Sequence, residues 1–349
     1  MTLVLPLLVA AVFLSPQNPP NARYDEATVP PYVLPDPLVT AAGDRVRDAK
    51  TWREARRPEI LELYRREVFG RVPAGAPRVS FRVESTDAKA LNGRAVRKLV
   101  TMVFGQGPGA RTARMLVYLP VGARKPVPVF LSLSFAPIQT IHADPGIPLY
   151  GQWALEPVSR LVVRMPAGEA SRGTGSSRWP VEAILARGYG LAAVYYGDIE
   201  PDVIGGVRHG VRALALAPGQ TEPAADEWGA IAAWAWSLSR AMDYLETDRD
   251  VDAGHVAVIG HSRLGKTALW AGAEDQRFSL VVSNDSGLMH VAAALNRPLV
   301  AVYGSTSPQF TPPLADQVEI VRLGLDCSPC FERTCRFGHY NCLRELKPR

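Results

Sequence analysis

Cysteine is absent from the first 326 residues of this 349-residue chain; all four, Cys327, Cys330, Cys335 and Cys342, fall in the last 23. That excludes a disulfide framework for the body and frees the tail from sharing its redox history. Long hydrophobic runs are also scarce. The one apolar run, Leu3 to Leu14, has 12 residues, short of the roughly 20 that a membrane-spanning helix needs. It suits the core of an export signal, so residues 1–22 are expected to be a signal peptide, although a basic flank and a clean A-x-A site are missing. The expected location is secreted or periplasmic, without stable membrane insertion. Blocks of Lys or Arg are missing too: the net charge is +5 and the basic residues are dispersed. This speaks against a nucleic-acid partner and for a solvated, mildly basic surface. No internal repeat is present, and the length allows one large α/β domain or two smaller ones.

What is present is alternation of strand-like and helical runs. Residues 15–40 are rich in Pro and polar groups and read as an extended lead-in. A helix is expected over 51–68, broken at Gly70. Strands are expected at Leu99–Phe104, Met115–Leu119, Val127–Phe135, Leu191–Tyr196, Val256–Ile259 and Phe278–Val282. Between Glu227 and Leu245, apolar residues repeat at gaps of three and four (Trp228, Ile231, Ala235, Leu238, Met242, Leu245), one face of a helix. Strands alternating with helices imply a mostly parallel sheet covered on both faces.

Val256 to Lys266 reads as strand, sharp turn, helix, with Gly260-His261-Ser262-Arg263-Leu264-Gly265-Lys266 at the turn. Glycines flanking a serine permit the strained elbow that exposes a nucleophilic hydroxyl, although the second glycine is one place later than in G-x-S-x-G. Such a hydroxyl needs a base, and backbone N–H groups at the new helix start can hold an oxyanion. The bland alternative is a Gly-Ser turn with Ser262 capping the helix.

The elbow resembles that of the glucuronoyl esterases, carbohydrate esterase family 15. So do Ser177-Arg178-Trp179-Pro180, Tyr195-Tyr196-Gly197-Asp198, Ala225-Asp226-Glu227-Trp228-Gly229-Ala230 and Asp243-Tyr244-Leu245-Glu246-Thr247-Asp248. The resemblance covers about residues 30–287. It implies an α/β-hydrolase-like three-layer sandwich acting on glucuronoyl esters of the xylan–lignin type. It makes Ser262 the nucleophile, Arg263 an oxyanion ligand and Lys266 a binder of sugar hydroxyls. Asp285 stands at the offset of the family's acidic triad member, one methylene shorter than the glutamate of fungal members. Ala136-Pro137-Ile138-Gln139 departs from the Gly-Asn-His run of many members.

Past Gly287 the pattern changes. Asp285-Ser286-Gly287-Leu288-Met289-His290, Arg297 to Gly304, Phe310-Thr311-Pro312-Pro313 and Cys327-Ser328-Pro329-Cys330-Phe331 are similar to the C-terminal part of lipopolysaccharide heptosyltransferase II, glycosyltransferase family 9. This second resemblance covers about 283–349. It implies a segment of a Rossmann-like glycosyltransferase domain, with Asp285, Ser286, Gly287 and His290 facing a nucleotide sugar. The stretch Ser283 to Gly287 suits both families. A join there accounts for both halves, giving a truncated hydrolase at 23–287 and a transferase-like segment with a Cys-rich tail at 288–349. The esterase family's histidine is then lost. Only His290 and His339 follow the elbow, and a chain with little or no activity is expected.

The apolar, β-branched runs Pro298–Tyr303 and Val318–Leu323 are expected to add strands to the sheet. The spacing C-x2-C-x4-C-x6-C, with His339 inside it, leaves open zinc, an iron–sulfur cluster or two disulfides in one of three connectivities. Neither resemblance implies a metal or other cofactor, and none is expected. The oligomeric state is left open.

Overall fold

The computed structural model describes residues 30–31, 33, 35–284, 289–294, 298–332 and 334–346. The expected signal peptide lies outside them. Eleven strands occur among the described residues: β1 Val79–Lys89, β2 Ala95–Phe104, β3 Arg111–Pro120, β4 Val127–Ser134, β5 Gln152–Leu155, β6 Val162–Met165, β7 Gly190–Tyr195, β8 Val251–Ile259, β9 Leu280–Asn284, β10 Leu299–Val302 and β11 Val318–Val321. β5 and β6 form a small separate hairpin. The other nine make one sheet in the order β1-β2-β3-β7-β4-β8-β9-β10-β11. The pairs from β1 to β7 are antiparallel, and those from β7 to β11 are parallel.

Both faces are covered, as the alternation of β3 shows. Met115, Val117 and Leu119 join a core built with the long helix Ala230–Thr247 and the elbow helix Ser262–Glu274. Leu116 and Tyr118, pointing the other way, join a smaller core with Ile138, Ile141, Val181 and Leu185. The sequence pattern does not mark β1, because it is a largely exposed edge strand with polar residues along its length. The strand expected at Phe278–Val282 begins two residues later. Parallel pairing with β8 sets its register at Ala257↔Leu280, leaving Phe278 buried in the preceding turn.

The N-terminal helical segment runs continuously from Ala49 to Phe69. It packs on the elbow helix through Phe69 and Trp270, whose rings stack 4.3 Å apart. Arg57 donates to the Ala273 carbonyl at 2.8 Å, satisfying a group at the helix's C-terminal end. The long helix starts at Ala230 rather than Glu227 because the residues before it dock on this segment. Gly229 N donates to Phe69 O at 2.6 Å, and Arg71 N to Asp226 O at 2.8 Å.

Gly70 makes that docking possible. Its φ is +78°, and a Cβ would lie 2.0 Å from the Glu227 carbonyl oxygen. Gly70→Ala is expected to cost at least about 2 kcal/mol through backbone strain and lost contact. Urea unfolding monitored by tryptophan fluorescence measures it; an unchanged midpoint would contradict the prediction.

The two apolar runs of the C-terminal segment form β10 and β11, which extend the sheet beside β9 with Val282↔Val300 and Leu299↔Val318 in register. The helix Met289–Ala294 lies between β9 and β10. Met289, Ala292 and Tyr303 join the main core, and the Tyr303 hydroxyl lies 3.4 Å from Met289 Sδ. Strand, helix and parallel strand form one continuous unit, so the C-terminal strands continue the sheet without a break in its pattern.

Candidate active site

β8 ends at Ile259, whose carbonyl accepts from Ser132 Oγ at 2.7 Å. The chain then turns so tightly that a Cβ on Gly260 would lie 2.1 Å from the Leu264 carbonyl oxygen. On Gly265, a Cβ would meet Ser283 Oγ of β9 at 3.0 Å and the Gly260 carbonyl oxygen at 3.3 Å. The displaced second glycine thus sits where the helix's first turn lies close against β9.

Ser262 opens the elbow helix at φ +55°. For a non-glycine residue this conformation costs on the order of 1–3 kcal/mol and persists only where its surroundings hold it. One support is visible: Ser262 N donates to Asn284 Oδ1 at 3.2 Å, from the end of the neighbouring strand. The cap position belongs to His261, which makes no side-chain capping bond. Ser262 is exposed at the C-terminal edge of the parallel strands, where open α/β sheets place their sites.

Arg263 pairs with Asp202 and lies over the Phe135 ring, 5.6 Å from its centroid. The carboxylate offsets a cation placed against the helix dipole. A cleft of about 430 Å³ opens beside the pair, lined by Phe69, Asp202, Ile231, Trp234 and Arg263. Phe135, Tyr196 and Trp234 form an aromatic wall, with edge contacts at 5.9 and 5.0 Å. Burial pushes the Tyr196 hydroxyl's pKa up. Lys266 is exposed one turn beyond Ser262, on the same helix face by its i, i+4 spacing.

No sequence pattern points to Asp202. Its segment is held by Glu200, whose buried carboxylate takes Arg212 Nε at 2.9 and 2.8 Å. The Glu200 carbonyl accepts from Trp234 Nε1 at 3.1 Å, and Arg212 also donates to Trp228 O at 3.1 Å. Asp198, within the Tyr195–Asp198 motif, is buried and bound by Arg164 at 2.6 Å. Burial raises the pKa of both carboxyls. These buried ion pairs fix the segment that carries Asp202. The divergent run after β4 is structural too: Gln139 is buried and donates to Tyr150 O at 2.9 Å.

Asp285, Ser286 and Gly287 lie outside the described residues. His290 is half-buried on the helix Met289–Ala294. No hydrogen bond joins a histidine to Ser262 among the described residues. His142 pairs with Glu182 and His255 with Asp252, each at 2.8 Å, and His339 Nδ1 accepts from Asn341 N at 3.0 Å. The His261 and Phe135 rings meet edge to face, with centroids 6.3 Å apart. As they stand, no three His, Cys, Asp or Glu side chains among the described residues are placed to hold a metal.

A strand, an elbow serine and a helix on a mixed, mostly parallel sheet define an α/β-hydrolase-like chain. Comparison with known proteins narrows this. The structure resembles that of a glucuronoyl esterase from Solibacter usitatus, with TM-score 0.72 and 45% identity over 79% of this chain and 81% of that one. The carbohydrate esterase MZ0003, from an unknown prokaryotic organism, is 46% identical over 283 residues, 80% of this chain. The chain belongs to the glucuronoyl esterases of carbohydrate esterase family 15, and it spans 64% of the length of MZ0003.

The family model for glycosyltransferase family 9 (heptosyltransferase) matches residues 255–341. Lipooligosaccharide heptosyltransferase 2 of Haemophilus influenzae is 72% identical over 43 residues, 12% of each chain. The transferase match reaches back through the elbow itself. β8, the elbow helix and β9 repeat the strand–helix–strand unit that parallel α/β folds share.

Proposed function

We propose that this chain carries the substrate site of a carboxylic-ester hydrolase for glucuronoyl esters, joined to a heptosyltransferase-like segment that leaves the catalytic serine without its base. The observation that carries the reading is Ser262 at the elbow, in left-handed backbone geometry, with Arg263 and Lys266 on the first turn. In this reading Ser262 is the nucleophile and Arg263, oriented by Asp202, faces the oxyanion. Lys266 receives the sugar hydroxyls, and Asp285 is the acidic member. The substrate would be met outside the cytoplasm if residues 1–22 direct export.

Binding tests the substrate class apart from turnover. Calorimetry with methyl glucuronate ester should show saturable binding. Lys266→Ala should weaken it at least about tenfold, the worth of a charge-assisted hydrogen bond. Equal affinity in the variant, or no binding to the parent chain, would defeat the assignment.

The transferase reading rests on the C-terminal match, residues 255–341 of this chain, of which the 72%-identical stretch is 12% of the H. influenzae enzyme. A glycosyl donor site needs both lobes of its cleft, and residues 30–284 of this chain carry the esterase fold instead.

A further inference from the structure

The cleft beside the Arg263–Asp202 pair has walls of one chemical kind. Its volume is about 430 Å³, within the range of small-molecule pockets. Val68 and Phe69 come from the end of the N-terminal helical segment, and Ile231 and Trp234 from the start of the long helix. Backbone hydrogen bonds hold these elements together, Gly229 N to Phe69 O at 2.6 Å and Arg71 N to Asp226 O at 2.8 Å. The walls are therefore fixed without a ligand.

None of these four side chains keeps a free polar group. The indole Nε1 of Trp234, the one polar side-chain atom among them, donates to Glu200 O at 3.1 Å. The Trp234 ring meets Tyr196 edge-on at 5.0 Å, and the Phe69 ring stacks on Trp270 at 4.3 Å. Phe69 and Trp234 are buried, Ile231 is half-buried, and Val68 is 58% exposed. The charged atoms of the lining are confined to the Arg263–Asp202 pair.

Such a lining sorts the two halves of an ester. A sugar ring carries hydroxyls around its edge. Each one buried against these walls would leave water and find no side-chain partner, which costs binding. An aryl or alkyl group loses nothing there and gains by leaving water. Lys266, the residue suited to sugar hydroxyls, is not among the lining residues, whereas Arg263, next to Ser262 in the chain, is.

We propose that this cleft is the alcohol subsite, which takes the apolar, aromatic half of the ester, with Ile231 and Val68 setting the size and polarity that it accepts. The assignment rests on the reading of Ser262, Arg263 and Lys266 as a site for glucuronoyl esters. Phe69 and Trp234 belong to the main core and cannot vary without disturbing it. Ile231 and Val68 are only partly covered, so the specificity of the cleft lies with them.

Binding to the parent chain tests the assignment. In calorimetry the benzyl and cinnamyl esters of glucuronic acid should bind at least about tenfold more tightly than the methyl ester, part of what burying one aromatic ring yields. Free benzyl alcohol should compete with the benzyl ester and not with the methyl ester. Ile231→Glu, which puts a carboxylate into the apolar wall, should bring the benzyl ester down to the affinity of the methyl ester. Lys266→Ala should weaken both esters and leave their ratio intact. The assignment is overturned if the parent chain binds the aromatic esters no better than the methyl ester, or if Ile231→Glu keeps the preference. Loss of binding to every ester removes the substrate reading itself, and the cleft assignment with it, so the two failures are told apart. The ester series uses the parent chain alone, so a variant that fails to fold does not remove the test.

Discussion

The purified chain is expected to hydrolyse a benzyl glucuronate ester on the order of 10⁶-fold more slowly than an esterase with a complete triad, the loss measured when a serine protease is stripped of its base. The serine hydroxyl is a poor nucleophile near neutral pH unless a base within hydrogen-bond reach takes its proton. Among the described residues no histidine bonds to Ser262. His261 precedes the serine, and its ring meets that of Phe135 edge to face. His339 is stacked on Phe337, with centroids 5.6 Å apart, and its Nδ1 is occupied by Asn341 N. The Arg263–Asp202 pair and the strained elbow would remain able to bind an oxyanion, so a small residual rate is compatible with the reading. The assay compares the parent chain with Ser262→Ala, which should differ little. Robust turnover abolished by Ser262→Ala would refute the prediction, and His339→Ala would then show whether the tail had supplied the base.

The second large effect concerns stability. Arg212→Met is expected to destabilise the chain by about 3–5 kcal/mol, because it leaves Glu200 buried without its counter-charge. The Glu200 and Arg212 side chains are 2% and 15% exposed, so solvent cannot replace the lost partner. Burial already raises the Glu200 pKa above its reference value of 4.5, while Arg212 opposes the rise. Without Arg212 it climbs further, and the folded state then holds a proton that the unfolded chain releases above about pH 4.5. A group bound more tightly to its proton in the folded state makes stability fall as pH rises. The deficit of Arg212→Met should therefore be greatest at neutral pH and shrink on acidification toward the unfolded value. Glu200→Leu/Arg212→Met should recover most of the loss. Urea unfolding at several pH values measures both trends. A deficit independent of pH, or a double variant no better than the single one, would show that the pair acts through packing alone.

The elbow is legible in the sequence because its cause is local. A strand-forming run, a glycine, a serine and a second glycine determine the turn within a few residues, and Ser262 takes the left-handed conformation that the motif demands. The apolar runs that form β10 and β11 are legible for the same reason, since side-chain type and period two suffice to mark a strand. The periodicity places the long helix's start three residues early, because the docking of Gly229 on Phe69 is a tertiary event.

The sequence by itself determined the family, the identity of the elbow serine, and the change of pattern beyond Gly287, all of which rest on residues adjacent in the chain. Only the tertiary structure decided that Asp202 pairs with Arg263, that Arg212 neutralises Glu200, and that the C-terminal strands stand in the order β9-β10-β11 at the edge of the sheet. An ion pair across 61 residues leaves no spacing to recognise. Which charges meet is settled by the layers that bring their elements together, and a buried carboxylate reveals its partner only once water has been excluded around it.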